Sequence, residues 1–325
     1  MNEEGPQTLI EAVKHFADLQ VCHAYMVRLK WPDGKITCEK CGGDKVGYIV
    51  SRCKFQCKTK GCRAQFSVKT GTIFEDSPLG LDKWFIAIWC VINAKNGVSS
   101  YEIHRALGVT QKTAWFMDHR IRLAMQTGTF LKFHGPVVES DESFIGGKAE
   151  NMHAEKRERV IQGRGSVGKT AVHGVLQRGD KKDNPSQVKA TVIPNVEQVT
   201  LMGELLRNVE RDTFVCTDES TSYANIADRY IHRFVNHSVK YVEGRVHTNG
   251  LENFWSLLKR CVRGTWVHVA PFHLQRYLDE QCWRFNFRKL TDGQRFSAVM
   301  KGVLGRRITR RLLCAEGDAG FMGIE

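Results

Sequence analysis

Residues 137–148 read VVESDESFIGGK, residues 213–223 read TFVCTDESTSY, and residues 247–260 read HTNGLENFWSLLKR. Each stretch sets an acid beside an apolar run: Asp141, Asp218 and Glu252. Val137 and Val138 lead a strand-like run to Asp141, and Phe214, Val215 and Cys216 lead another to Asp218. Both carboxylates are therefore expected at strand ends, where open α/β sheets build their sites. Thr248 has the chemistry of an N-cap for a helix through Glu252, Trp255 and Lys259. Glu252 and Lys259 lie seven residues, or two turns, apart and share one face.

Acids converging from separate elements suit hard divalent cations. Mg²⁺ prefers carboxylate and water oxygens, and two such ions about 4 Å apart clamp the attacking and leaving oxygens of an in-line phosphoryl displacement. Asp141, Asp218 and Glu252 are the candidate ligands for two Mg²⁺ or Mn²⁺ ions, and Lys259 is a candidate contact to a phosphate. An acid at a strand end is by itself an ordinary surface residue; the argument rests on all three with one flanking pattern. Phe254 and Trp255 read as core residues, and His247 as a structural donor ahead of the helix.

From Phe133 onward, strands are expected near 136–140, 170–178, 187–193, 213–217 and 231–235, with helices near 196–208 and from Thr248. This order puts the first acid on the first strand, the second on the fourth and the third on a later helix. The fold class expected is therefore α/β, with a ribonuclease H-like catalytic domain over 131–290. A segment over 1–78 precedes it, followed by a helical region over 79–130, and residues 291–325 read as a basic C-terminal tail with the run GRRITRRLL.

The chain has 325 residues, and its 48 Lys and Arg against 35 acids give a net charge of +13, which favours a polyanionic partner such as double-stranded DNA. With no run of eighteen apolar residues and a polar start, MNEEGPQ, a membrane role is disfavoured and a cytoplasmic protein is expected. Of eleven cysteines, six fall between Cys22 and Cys62, a crowding that in a reducing compartment points to metal. Cys38 and Cys41 form a C-x-x-C knuckle, and Cys57 and Cys62 supply a second pair, the four thiolates that structural zinc prefers. Cys53 is a competing ligand four residues before Cys57. The intervening GYIVSRCKFQC alternates like a hairpin, completing a zinc ribbon.

Leu9, Val13, Phe16, Ala17 and Val21 predict one helix over 8–30. After it, LDKWFIAIWCVIN reads as an apolar helix over 81–93. The segment SSYEIHRALGVTQKTAWFMDHRIRLAM gives two helices about Gly108, the second capped by Thr110, in the manner of a helix-turn-helix. Gln111, Lys112 and Thr113 are then the groove-facing candidates, Ala114 and Ile121 point inward, and DHRIR is otherwise a solvated face. GRGSVGKT over 163–170 satisfies the P-loop pattern, but the charged AEKRERVIQ precedes it and the strand-like AVHGVLQRG follows, against the strand-then-helix context a P-loop requires. It reads instead as a basic loop offering Lys156, Arg157, Arg159, Arg164 and Lys169 to DNA phosphates.

Taken in order, CEKCGG, QCKTKGCRAQFSVKTGTIFEDSPL, the SSYEIHRALGVTQ segment, ESDESFIGGK, GRGSVGKTAVHGVLQR, CTDESTSY and HTNGLENFWSLLKR span nearly the whole chain. In these motifs the chain resembles the DDE transposases of bacterial insertion sequences that carry an N-terminal zinc ribbon, the ISXO2-like group related to Merlin transposases. The resemblance implies binding to the terminal inverted repeats of its own element, cleavage at the ends, and joining of the freed 3′ hydroxyls to target DNA by a homo-oligomer. Asp141 and Asp218 match the first two acids. Family members carry Glu or Asn third, and this chain offers both Asn249 and Glu252; Glu252 is favoured because a carboxylate neutralises more metal charge. The alternative is an inactive zinc-ribbon and helix-turn-helix DNA-binding regulator.

Overall fold

The computed structural model describes residues 5–126, 131–146, 168–179, 184–218, 223, 226–235, 246–267 and 269–314. The chain divides into two compact units, residues 1–126 with 290–325, and residues 127–289. Among the described residues, no helix is long and apolar enough to cross a membrane.

In the first unit, α1 (Leu9–Phe16) and α2 (Leu19–Lys30) replace the single helix expected over 8–30. Asp18 takes an extended conformation and its carboxylate accepts the Gln20 N–H at 2.8 Å, an N-cap in the middle of the periodic run. Only Ala12 and Phe16 of α1 are buried, so Leu9 and Val13 of the expected stripe face solvent. The hairpin forms as β1 (Val46–Ile49) and β2 (Lys54–Cys57), paired antiparallel with Val46 opposite Cys57, and β3 (Gln65–Phe66) extends the sheet. The apolar run becomes α3 (Leu81–Asn93), which buries Trp84, Phe85, Ile88, Trp89 and Ile92; a helix apolar nearly all round is a core helix.

The helix pair is α4 (Ser100–Leu107) and α5 (Gln111–Met125). Ser99 and Glu102 form a capping box at the start of α4, Gly108 closes it in the left-handed region at φ 60°, and Thr110 caps α5 by accepting the Thr113 N–H. The DHRIR run is not a solvated face. Asp118, His119, Arg120 and Arg122 are all buried, and the Arg120 guanidinium donates to the carbonyls of Ile73, Glu75 and Ile308, tying distant loops to α5.

The second unit is a five-stranded sheet of β4 (Val138–Ile145), β5 (Thr170–Gln177), β6 (Gln187–Val192), β7 (Phe214–Asp218) and β8 (Ile231–Val235), ordered β6-β5-β4-β7-β8. The first three run antiparallel; β7 and β8 run parallel to β4 and to each other. Between β6 and β7 lies α6 (Gln198–Asn208), and after β8 come α7 (Asn249–Cys261) and α8 (Leu274–Asn286). Alternation gives each strand two faces. Ile145, Val172, Leu176 and Val188 pack with Leu251, Phe254, Trp255 and Leu278 of α7 and α8. Val138, Val175 and Val215 pack with Leu201 and Leu205 of α6 on the other face. Thr170 opens a strand, not a helix, so the described end of the GRGSVGKT motif lacks the P-loop context.

The chain then rejoins the first unit as α9 (Asp292–Lys301) and α10 (Arg310–Cys314). The described part of the expected basic tail, residues 291–314, is thus helical in two places. Phe296 lies 4.9 Å from the Phe16 ring and 5.6 Å from the Phe85 ring, an aromatic anchor the basic composition masks.

Candidate metal centre

Asp141 sits in the middle of β4 rather than at its end, because the antiparallel ladder with β5 runs on to Ile145 opposite Thr170. The parallel ladder with β7 stops earlier, at Glu139 opposite Cys216. Asp141 therefore lies just past the end of the β4–β7 pairing, and Asp218 is the last residue of β7. Two neighbouring strands deliver one carboxylate each to the crevice where they part. Asp141, Glu142 and Asp218 each offer a carboxylate oxygen, and these lie within 4.8 Å of one another.

This grouping is electrostatically costly without a cation. Burial, then the charge of Asp218, pushes the Asp141 carboxyl up to about 6, with Glu252 adding a smaller push in the same direction. Burial pushes Glu142 up to about 7, and the charges of Asp141 and Asp218 contribute. A hard-oxygen donor set whose members repel one another fits a divalent cation such as Mg²⁺ or Mn²⁺.

Two contacts orient the Asp141 carboxylate: Oδ1 accepts the Glu142 N–H at 2.8 Å and Oδ2 accepts the Trp255 Nε1–H at 3.0 Å. Trp255 is buried core, as its sequence context implies, and its polar edge also serves the site. It reaches Asp141 because Gly174, directly opposite on β5, has no side chain; a Cβ there would stand 2.6 Å from Trp255 Cζ2. On the other face, the Tyr223 hydroxyl donates to Glu142 Oε1 and lies 3.0 Å from Ser140 Oγ, which is 2.9 Å from His173 Nε2. Glu142, Gly174 and Tyr223 were not singled out by sequence pattern. Glu142 had one available signal, its place beside Asp141, but strand alternation argues for the opposite face.

The other candidates are placed as follows. Glu252 is exposed on the first turn of α7, outside the 4.8 Å cluster but near enough for its charge to act on Asp141. Asn249 is exposed at the start of the same helix, and Lys259 lies two turns beyond Glu252, about 10 Å along the axis. His247 accepts at Nδ1 from Arg178, and burial followed by the Arg178 charge lowers its pKa. In the first unit, Lys112 is exposed at the start of α5; Gln111 donates to Ser100 Oγ, and the Thr113 hydroxyl is 2.8 Å from that of Thr110. Lys169 is exposed just before β5, and Arg157 and Arg164 lie outside the described residues.

The cysteine cluster is a second centre. Cys38, Cys41, Cys57 and Cys62 bring their sulfurs within 4.8 Å of one another, with Cys38–Cys62 at 3.7 Å and Cys41–Cys57 at 3.6 Å. Tetrahedral zinc with Zn–S of about 2.3 Å requires S···S edges of about 3.8 Å, so the four fit that ion. Gly42 at φ 71° and Gly61 at φ 86° make the turns. The Thr59 hydroxyl leads in pulling Cys57 down to about 7, towards the thiolate that binds metal. Cys53 is exposed, with its sulfur turned to the Val50 carbonyl, and is not part of the cluster.

Residues 132–286 match the ISXO2-like transposase domain family. The chain is 34% identical over 101 residues to an uncharacterized transposase-like protein of Haemophilus influenzae, a match covering 31% of this chain and 81% of the relative. It is 25% identical over 258 residues to an uncharacterized protein in transposable element ISH50 of Halobacterium salinarum, covering 76% and 84%. With the paired strand acids and the four-cysteine cluster in place, these likenesses agree: the chain belongs to the ISXO2-like transposase family.

Proposed function

We propose that the chain is a DNA transposase that binds the terminal inverted repeats of its own insertion sequence, cuts at the ends and joins the freed 3′ hydroxyls to target DNA. The observation that carries this reading is the convergence of Asp141 and Asp218, with Glu142, on adjacent strands of a five-stranded mixed sheet. Bound there, Mg²⁺ or Mn²⁺ ions would supply neutralising charge and Lewis acidity for phosphoryl transfer. Asp141 and Asp218 hold them, with Glu252, or Asn249, as the third ligand. The Trp255 N–H keeps Asp141 aimed. Lys259 contacts a backbone phosphate as a point charge.

In the first step a water oxygen attacks phosphorus and the bond to the 3′ oxygen breaks, leaving a free 3′ hydroxyl. In the second step that hydroxyl attacks a target phosphorus and a target 3′ oxygen leaves. No covalent protein intermediate is needed. The α4–α5 pair, with Lys112 and its neighbours Gln111 and Thr113, reads the repeat, and Arg157, Arg164 and Lys169 hold phosphates. The zinc ribbon is structural, and synapsis of two ends calls for a homo-oligomer.

The test is cutting of a labelled duplex carrying the DNA that flanks this gene. Specific end cleavage that needs Mg²⁺ or Mn²⁺ and is lost in Asp141→Asn and Asp218→Asn is expected. Binding without cleavage, with zinc retained, would replace this reading with a DNA-binding regulator.

A further inference from the structure

Glu139 is a buried acid on β4, two residues before Asp141 and on the same strand face, and the proposed chemistry does not use it. Its Oε1 accepts the Arg178 Nε–H at 2.6 Å, and its Oε2 accepts the backbone N–H of Leu251 at 2.9 Å. Leu251 is the third residue of α7, and the side chain of Thr248 makes no capping bond there. Glu139 therefore caps α7 from a neighbouring strand, supplying the negative charge that a helix N-terminus favours. The approach is close enough that a Cβ on Gly250 would stand 2.7 Å from Glu139 Oε2.

Arg178 completes the arrangement. While its Nε holds Glu139, its terminal nitrogen donates to the His247 carbonyl at 2.6 Å and to His247 Nδ1 at 2.8 Å. One planar guanidinium thus ties a strand carboxylate to the residues that enter α7, a double reach that an ammonium cannot match. The residues held, 247–251, bracket Asn249 and end one residue before Glu252.

We infer that Glu139 and Arg178 are positioning residues that clamp the start of α7 to β4 and so set where Asn249 and Glu252 stand relative to Asp141. The inference rests on the metal site proposed above. Partners that orient ligands in this way typically change metal affinity by about 10- to 100-fold when altered.

The test uses the full-length chain without DNA. Mn²⁺ affinity is measured by electron paramagnetic resonance, amide exchange of residues 247–255 is followed without metal, and melting curves monitor folding. Glu139→Gln keeps the shape and removes the charge; Arg178→Lys keeps the charge and removes the fork. Both variants are expected to weaken Mn²⁺ binding about 10-fold and to speed exchange of the Leu251 amide. Added to the pair Asn249→Ala and Glu252→Gln, Arg178→Lys is expected to change affinity by less than about twofold, because the clamp acts through those ligands. Wild-type affinity and exchange in Arg178→Lys would show that Arg178 only neutralises Glu139, and full additivity would likewise overturn the clamp. A wild-type chain that binds no Mn²⁺, or binds it equally well with Asp141→Asn, would instead overturn the metal reading and remove the basis of the inference.

Discussion

Gly174 decides how near α7 can come to the sheet, since the Trp255 ring occupies the space a Cβ would fill. Gly174→Ala is expected to cost about 1–3 kcal/mol through overpacking and to weaken Mn²⁺ binding as Trp255 moves off Asp141; denaturant melts and metal titration check both. Trp255→Phe keeps most of the ring and removes the donor to Asp141. It is expected to slow end cleavage more than it lowers melting temperature, and equal effects would mean that the N–H serves packing alone. His173 gives a pH signature. Burial lowers its pKa from 6.5 to about 4, so the unfolded chain takes up a proton before the folded one does. Its contribution is full above pH 6.5 and is lost as pH falls towards about 4, up to roughly 3 kcal/mol. His173→Gln should flatten the stability curve across that window.

At the scale of elements, the turn between α4 and α5 was legible because it is local, a glycine and then a threonine cap, whereas the Ser99–Glu102 capping box emerged only in the structure. Ser99→Ala removes one partner of the capping box and is expected to cost about 1 kcal/mol and to weaken binding to the repeat ends; an unchanged affinity would separate α4 from DNA recognition. The ribbon was equally legible, since two cysteine pairs flanking a hairpin need no distant contact to be recognised. Its dependence on metal is testable by elemental analysis. One zinc per chain is expected in the wild type and a marked loss in Cys38→Ser, with faster amide exchange across β1 and β2. The break between α1 and α2 was missed because apolar spacing continued across it, while Asp18 quietly satisfied the backbone of a new helix.

For the whole molecule, the net charge of +13 predicts binding to DNA of any sequence that weakens steeply with salt, by about a thousandfold or more between roughly 50 and 200 mM if six or more phosphates are engaged. A shallow dependence in a filter-binding assay would count against an extended basic interface. The order of strands and helices from β4 to α7, the cysteine pairs, and Asp141 and Asp218 as strand acids could be read from the chain, because periodicity, caps and spacing act between near neighbours. The entry of Glu142 into the acidic cluster could not, since alternation alone sends it to the other face and only the crevice beyond the β4–β7 ladder brings its oxygen back. Nor could the burial of DHRIR, where Arg120 meets Ile308 across 188 positions, or the capping of α7 by Glu139, which meets Leu251 across 112. Local patterns carry no record of such partners. Tertiary structure decided them because a buried charge must find its complement wherever folding places one.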